Sequence, residues 1–339
     1  MEEPLYAPES IAQRLVAGDR AALSRLISWA ENGDPRFPAA LGEVYSRTGR
    51  AWRVGVTGPP GSGKSTLASE LVRLIRERDA SVGVLAVDPS SPISGGALLG
   101  DRIRMEERSL DPGVYIRSMA SRRSHGGLAR AAASACDVMD AFGMEWILLE
   151  TVGVGQAEYD VLEAVDCTLV VLCPGAGDGI QAMKAGLLEV ADVLVVNKSD
   201  LEGAERLVLD LEEAVAARSL PLALPSQPPG RRLPEPWIPP VVPCSAARGE
   251  DVDKVLAAVD AHREQLALQG LETARGERRL RQVERALSED LFAALWEERG
   301  LRELAERELA RRRPPFEVAG SILESVLERI PVAAQVRGS

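Results

Sequence analysis

The chain has 339 residues, 45% of them apolar and 4% aromatic, and a formal net charge of −11. That length holds one large domain with appendages or two domains, with ample apolar content for a core. The acidic balance argues against a nucleic-acid or anionic-membrane surface, and no apolar run is long enough to span a bilayer. The start, Met1-Glu2-Glu3-Pro4, is acidic and lacks a signal-peptide core. Cys136, Cys167, Cys173 and Cys244 stand without metal-ligand spacing, and they are expected to be small core hydrophobes of a reducing cytoplasm. Only His125 and His262 are present, so there is no metal-storage tract.

Residues 8–49 have helical spacing, with Ile11, Leu15, Leu23, Leu26 and Ile27 on one side, and predict an N-terminal helical arm over 1–49. From Trp52 to about Arg263 strand and helix alternate. Strands are expected at 52–57, 82–87, 113–117, 145–150, 167–173, 191–197 and 240–243. Helices fit 64–78, 127–142, 180–190, 202–218 and 250–267. The pattern implies an α/β domain over 50–267, a doubly wound and mostly parallel sheet with its ligand at the carboxyl ends of the strands. The proline-rich stretch from Pro221 to Pro243 is a surface excursion before the last strand. Residues 268–339 are charged and helical, broken by Gly300 and Pro314-Pro315. Leu287, Leu291, Leu295, Leu301 and Leu304 need something to pack against, and a second copy of the chain is favoured over the core.

Within the central domain, Gly58-Pro59-Pro60-Gly61-Ser62-Gly63-Lys64-Ser65-Thr66 fits the phosphate-loop pattern G-x-x-x-x-G-K-[S/T]. It sits between a predicted strand and a predicted helix, the context the motif requires. Its glycines let successive N–H groups point at an anion, and the helix N-terminus adds partial positive charge. Lys64 is expected on the β- and γ-phosphates and the Ser65 hydroxyl on Mg²⁺. Asn197-Lys198-Ser199-Asp200 follows the apolar run Val193 to Val196 and matches a guanine-reading N-K-x-D. The Asp200 carboxylate can accept from N1–H and the exocyclic amine of guanine, whereas adenine offers no donor there. At ~1.5–3 kcal/mol per charge-assisted bond, guanine is favoured by roughly 100-fold or more. Asn197 is expected to brace the loops, and the Lys198 stem to lie along the base. Cys244-Ser245-Ala246 stands where GTPases place the backbone amide that contacts the guanine oxygen. Lysine usage agrees: the chain has four lysines against thirty-six arginines, and Lys64 and Lys198 are two of the four.

Three segments between these motifs carry candidate switch residues. Asp88-Pro89-Ser90-Ser91-Pro92 and Leu99-Gly100-Asp101-Arg102 offer Asp88 and Asp101 as ligands for Mg²⁺. Leu148 to Gln156 resembles a D-x-x-G switch with Glu150 in place of the Asp, Gly153 as an amide donor to the γ-phosphate and Gln156 as a candidate for positioning water. In Pro174 to Lys184, the third of the four lysines is a candidate for stabilising transition-state charge.

The ordered set D-P-S-S-P, L-G-D-R, E-T-V-G-V-G-Q, P-G-x-G-D with Gln181 and Lys184, then N-K-x-D, resembles the MeaB/ArgK/MMAA GTPases over nearly the whole chain. The resemblance implies a P-loop GTPase fold of the SIMIBI class, with a helical arm and a C-terminal helical extension that forms a homodimer. It further implies a chaperone that gates adenosylcobalamin loading and protects an acyl-CoA mutase, chiefly methylmalonyl-CoA mutase. By resemblance, Asp88, Asp101 and Glu150 fall on the family's metal and switch acids, and Gln181 and Lys184 on its third switch. Arg123 and His125, Gly179 and Ile103 depart from the usual pattern. With no arginine finger evident and no glutamine at the Ras-like spacing, turnover is expected to be slow and partner-stimulated. A nickel-insertion GTPase is the alternative function, although no His-rich or Cys/His site is visible. A P-loop kinase acting on a transport protein is a third.

Overall fold

The computed structural model describes residues 7–88, 110–120, 125–151, 160–175, 187–219, 236–293, 296 and 301–329. The chain folds as two compact units, Met1–Arg278 and Arg279–Ser339.

The first unit opens with α1 (Pro8–Val16), α2 (Arg20–Asn32) and α3 (Phe37–Val44). There follow β1 (Trp52–Thr57), α4 (Lys64–Arg76), β2 (Val82–Asp88), β3 (Val114–Ala120), α5 (His125–Phe142), β4 (Trp146–Thr151) and β5 (Cys167–Leu172). The short α6 (Leu187–Val190), β6 (Val193–Val196), α7 (Ala204–Ser219), β7 (Val241–Pro243), α8 (Val252–Gln269) and the start of α9 (Leu271–Ala293) complete it. All seven expected strands are present within one to three residues of their expected limits, because each is a short β-branched run bounded by turn residues. Of the helix expected at 180–190, residues 187–190 are helical and the remainder lies outside the described residues.

The strands form one parallel sheet in the order β3-β2-β4-β1-β5-β6-β7. β1, β4, β5 and β6 are buried along their whole length, as a sheet covered on both faces requires. On one face α4 and α8 bury Leu67, Leu71, Ile75, Val255 and Val259 against the strands. On the other, α5 and the three N-terminal helices share one apolar cluster with Leu85, Met119 and Leu149 of the sheet. α7 covers β5 and β6 through Leu207, Leu211 and Val215. The segment expected as an arm is thus part of the domain core. Leu15, Leu23, Leu26 and Ile27 are fully buried, and Tyr115 and Arg117 of β3 bond to Ser24 (2.9 Å), Ser28 (3.1 Å) and Glu31 (2.8 Å) of α2.

At the amino-terminal edge of the sheet, ion pairs replace apolar contact. Asp166, just before β5, accepts from the Arg53 amide of β1 at 3.0 Å, from Arg275 Nε at 3.0 Å and from Arg278 at 2.7 Å. Burial pushes its carboxyl up, but the two guanidiniums outweigh that and hold it below the usual carboxylate range. Arg275 also donates to the Ala51 carbonyl at 2.8 Å and to that of Gly49. The neighbouring Asp140 accepts from the amides of Gly49 (2.7 Å) and Ala51 (3.0 Å) and from Arg53 (3.0 Å). In the second unit α10 (Leu301–Ala310) packs on α11 (Pro315–Arg329), and Leu301, Ala305 and Val318 are buried.

Removing one partner of a buried pair strands the other charge, at a cost of about 3–5 kcal/mol. Asp166→Ala should therefore lower the stability measured by urea unfolding by that amount. Because the folded carboxyl sits below its unfolded value, its contribution is complete above the unfolded pKa and fades as pH falls through the folded one. The wild-type advantage over Asp166→Ala should shrink in acid, and a stability gap independent of pH would argue against this account.

Candidate nucleotide site

The carboxyl ends of β1, β5 and β6 place the phosphate loop and the base-reading motif side by side. The loop leaves β1 at Gly58, where the chain turns with φ 139°, and enters α4 through Gly63 with φ 90°. A Cβ at Gly58 would lie 2.1 Å from the Val171 carbonyl oxygen of β5, and one at Gly63 2.2 Å from Nδ2 of Asn197. Only glycine permits both the backbone angles and these approaches. The order of the strands reverses between β1 and β5, so the loop occupies the switch point at which open α/β sheets bind ligands.

Asn197 closes the site. Its Nδ2 donates to the Ser62 carbonyl at 2.8 Å, and its Oδ1 accepts from the Ala246 amide at 3.0 Å. Lys198 holds a left-handed backbone, φ 58°, an unusual choice for a non-glycine residue that brings Nζ to 2.7 Å from the Gly61 carbonyl. Lys64 Nζ lies 2.9 and 3.0 Å from the carbonyls of Gly58 and Pro59. Ser62 Oγ is buried and has no hydrogen-bond partner among the described residues. No side chain caps α4, so its first amides face the loop.

Asp200 is exposed and receives the Ser245 hydroxyl on Oδ1 at 2.8 Å, with Arg248 3.1 Å from Oδ2. The Ser245 hydrogen bond, more than the nearby Arg248 and Lys198 charges, holds its carboxyl below the usual range. It is therefore an anionic acceptor at neutral pH, with lone pairs remaining on both oxygens. On the phosphate side, Ser65 Oγ donates to Glu150 Oε1 at 2.5 Å, and Thr57 and Thr151 join through their hydroxyls at 2.9 Å. Glu150 is 6% exposed and Ser65 half-buried, so the two oxygen donors converge in a sheltered position.

The structure thus brings together Gly58, Gly61, Ser62, Gly63, Lys64, Ser65, Thr66, Glu150, Asn197, Lys198, Asp200, Ser245 and Ala246 at one end of the sheet. Asp88 is the last residue of β2, at the same end; nothing is described of its side chain. Asp101, Gly153, Gln156, Gln181 and Lys184 lie outside the described residues, as do Ile103, Arg123 and Gly179. His125 begins α5. Sequence reasoning did not pick out Arg248 or the side-chain role of Ser245. An S-A-x-R run immediately after the last strand is the signal that held them.

A phosphate loop joined to an N-K-x-D loop on a seven-stranded parallel sheet defines a P-loop GTPase. The sequence model of one family, described as methylmalonyl Co-A mutase-associated GTPase MeaB, matches residues 23–300, and the chain belongs to that family. A Pyrococcus abyssi protein with a GTPase name is 40% identical over 323 residues, 94% of this chain and 97% of that one. GTPase ArgK of Escherichia coli is 36% identical over 74% of each chain. The mouse mitochondrial methylmalonic aciduria type A homolog is 35% identical over 76% of this chain and 63% of its own. Among solved structures, a LAO/AO transport system kinase superposes with a TM-score of 0.71 at 25% identity, covering 96% of this chain and 99% of that one. No helix among the described residues is long and apolar enough to cross a membrane.

Asn197→Ala would leave the Ser62 carbonyl and the Ala246 amide without their shared partner. An unsatisfied buried group costs about 1–3 kcal/mol, so GTP affinity measured by calorimetry should fall roughly 10- to 100-fold with the fold retained. An unchanged affinity would mean that the two loops hold their places independently.

Proposed function

We propose that this chain is a GTP-driven switch that gates cofactor loading and protects an adenosylcobalamin-dependent acyl-CoA mutase, methylmalonyl-CoA mutase being the favoured client. The observation that carries the nucleotide half is the Asn197 side chain, which links phosphate loop and base loop into one pocket. The client half rests on the family's description and on the mouse relative's name.

In the proposed reaction, Asp200 takes the guanine N1–H and exocyclic amine, while the Ala246 amide faces the guanine oxygen. Lys64 exchanges the loop carbonyls for β- and γ-phosphate oxygens, and the loop amides with the α4 N-terminus meet the charge that develops as water attacks the γ-phosphate in line. The Ser65 hydroxyl and Glu150 carboxylate, 2.5 Å apart, form the all-oxygen donor set that a hard cation takes. Ser65 would hold Mg²⁺ directly and Glu150 through water, with Asp88 and Asp101 as further acids; bound there, the ion neutralises phosphate charge. Gly153 is assigned to sensing the γ-phosphate, Gln156 to positioning water, and Lys184 to transition-state charge. In this reading hydrolysis is slow until the partner binds. A kinase would have no use for the carboxylate that Ser245 and Arg248 hold beside Lys198, so the guanine reading is preferred.

The same reading pairs two copies through the C-terminal helices. Leu280, Val283, Leu287 and Leu291 follow helical spacing along α9 and are each more than half exposed, a stripe that water does not favour. Leu287→Glu with Leu291→Glu should convert a dimer to a monomer in analytical ultracentrifugation. A wild-type chain sedimenting as a monomer would remove this part of the proposal.

GTP hydrolysis by the purified protein, with and without adenosylcobalamin mutases added one at a time, tests the function. Acceleration by one mutase is the expected outcome and would identify the client. Rapid turnover without any partner, or indifference to every mutase, would overturn the switch.

A further inference from the structure

At the end of the sheet opposite the phosphate loop, three residues distant in sequence meet. Cys167 opens β5, Asp192 immediately precedes β6, and His262 lies in α8. A ligand atom from each lies within 4.8 Å of the other two. Cys167 is fully buried and His262 is 3% exposed. One Asp192 oxygen accepts the Thr168 amide at 2.7 Å, and the other stands 3.5 Å from Nε2 of His262. That separation is long for a hydrogen bond. It is near the ~3.3 Å between two ligands bound at ~2.0–2.1 Å to one tetrahedral ion. Trp237 closes the cluster, its ring 5.0 Å from that of His262 and its indole N–H donating to the Asp192 carbonyl at 2.7 Å.

The histidine is not an ordinary satisfied core residue. Nε2 is the ring nitrogen near Asp192; the other, Nδ1, is buried without a partner among the described residues and stays so with a metal on Nε2, as does Nε1 of Trp52, whose ring lies 6.3 Å away. Buried polar atoms are nearly always paired. The imidazole of His262, the carboxyl of Asp192 and the thiol of Cys167 thus converge on one point.

We propose that Cys167, Asp192 and His262 form a binding site for one divalent transition metal of the zinc class, separate from the nucleotide pocket. Sulfur, nitrogen and oxygen donors together suit a borderline-soft ion and not the hard Mg²⁺ of phosphate chemistry. On binding, the thiol gives its proton to solvent and the thiolate takes the metal. Three protein ligands leave a fourth position for water. The metal would tie the starts of β5 and β6 to α8, about 16 Å along β5 from the strand end that faces the phosphate loop. All four cysteines are free and buried, as expected of small core residues, and the proposal gives Cys167 a ligand role in addition.

The test is titration of the chelator-treated, full-length protein with Co²⁺ in excess Mg²⁺, which occupies all-oxygen sites. One equivalent should bring up a thiolate-to-cobalt charge-transfer band in the near ultraviolet, and Zn²⁺ should bleach it. Cys167→Ser should abolish the band, whereas Cys136→Ala should leave it. His262→Gln should weaken Co²⁺ binding about 100-fold or more, beyond the 10- to 100-fold typical of an outer-shell partner. No band in the wild type, or a band that survives in Cys167→Ser, overturns the site. Should the variants fail to fold, X-ray absorption of the zinc-loaded wild type decides. One sulfur at about 2.3 Å with nitrogen and oxygen near 2.0–2.1 Å supports the site, and a shell without sulfur overturns it.

Discussion

The amide of Asn197 is the joint on which this nucleotide pocket depends. It stands one residue past β6, donates to the phosphate loop through Ser62 and accepts from the base loop through Ala246. Gly63 lets it come that close, since any side chain there would displace the amide. One planar group with a donor and an acceptor thus fixes the distance between the phosphate-loop segment and the loop after β7. Lys198, strained into a left-handed backbone and bonded to Gly61, repeats the link one residue later.

The two ends of the sheet are built on different physics. At the carboxyl ends, backbone amides, a helix terminus and the exposed Asp200 carboxylate are left available for a polar ligand. At the amino ends, buried charges are matched within the protein. Asp166 pairs with the Arg275 and Arg278 guanidiniums and takes the Arg53 amide, and Asp140 collects three consecutive amides from Gly49 to Ala51. Cys167, Asp192 and His262 belong to that base by position, and there His262 Nδ1 is buried without a hydrogen-bond partner among the described residues.

Much of the fold was legible because its signals are local. The seven strands are short β-branched runs, and the phosphate loop and the N-K-x-D tetrapeptide carry their chemistry within nine and four residues. The N-terminal helices were legible as helices, but not as part of the core, since amphipathic spacing shows that a face is buried and not against what. The Ser245 and Arg248 contacts on Asp200 escaped for a similar reason: their partner lies 45 or more residues away, and hydroxyls and guanidiniums find partners almost anywhere.

By itself, the sequence determined the fold class, the nucleotide and its base, because glycine spacing, a lysine where arginine prevails and a carboxylate after a buried strand each have one chemical use. Only the tertiary structure decided which distant groups meet. It joined Asn197 to two loops, buried Asp166 between two arginines, and gathered a cysteine, an aspartate and a histidine separated by 95 residues of chain. Those meetings depend on strand order and helix placement, and no local pattern encodes the distance between residues that the chain itself keeps apart.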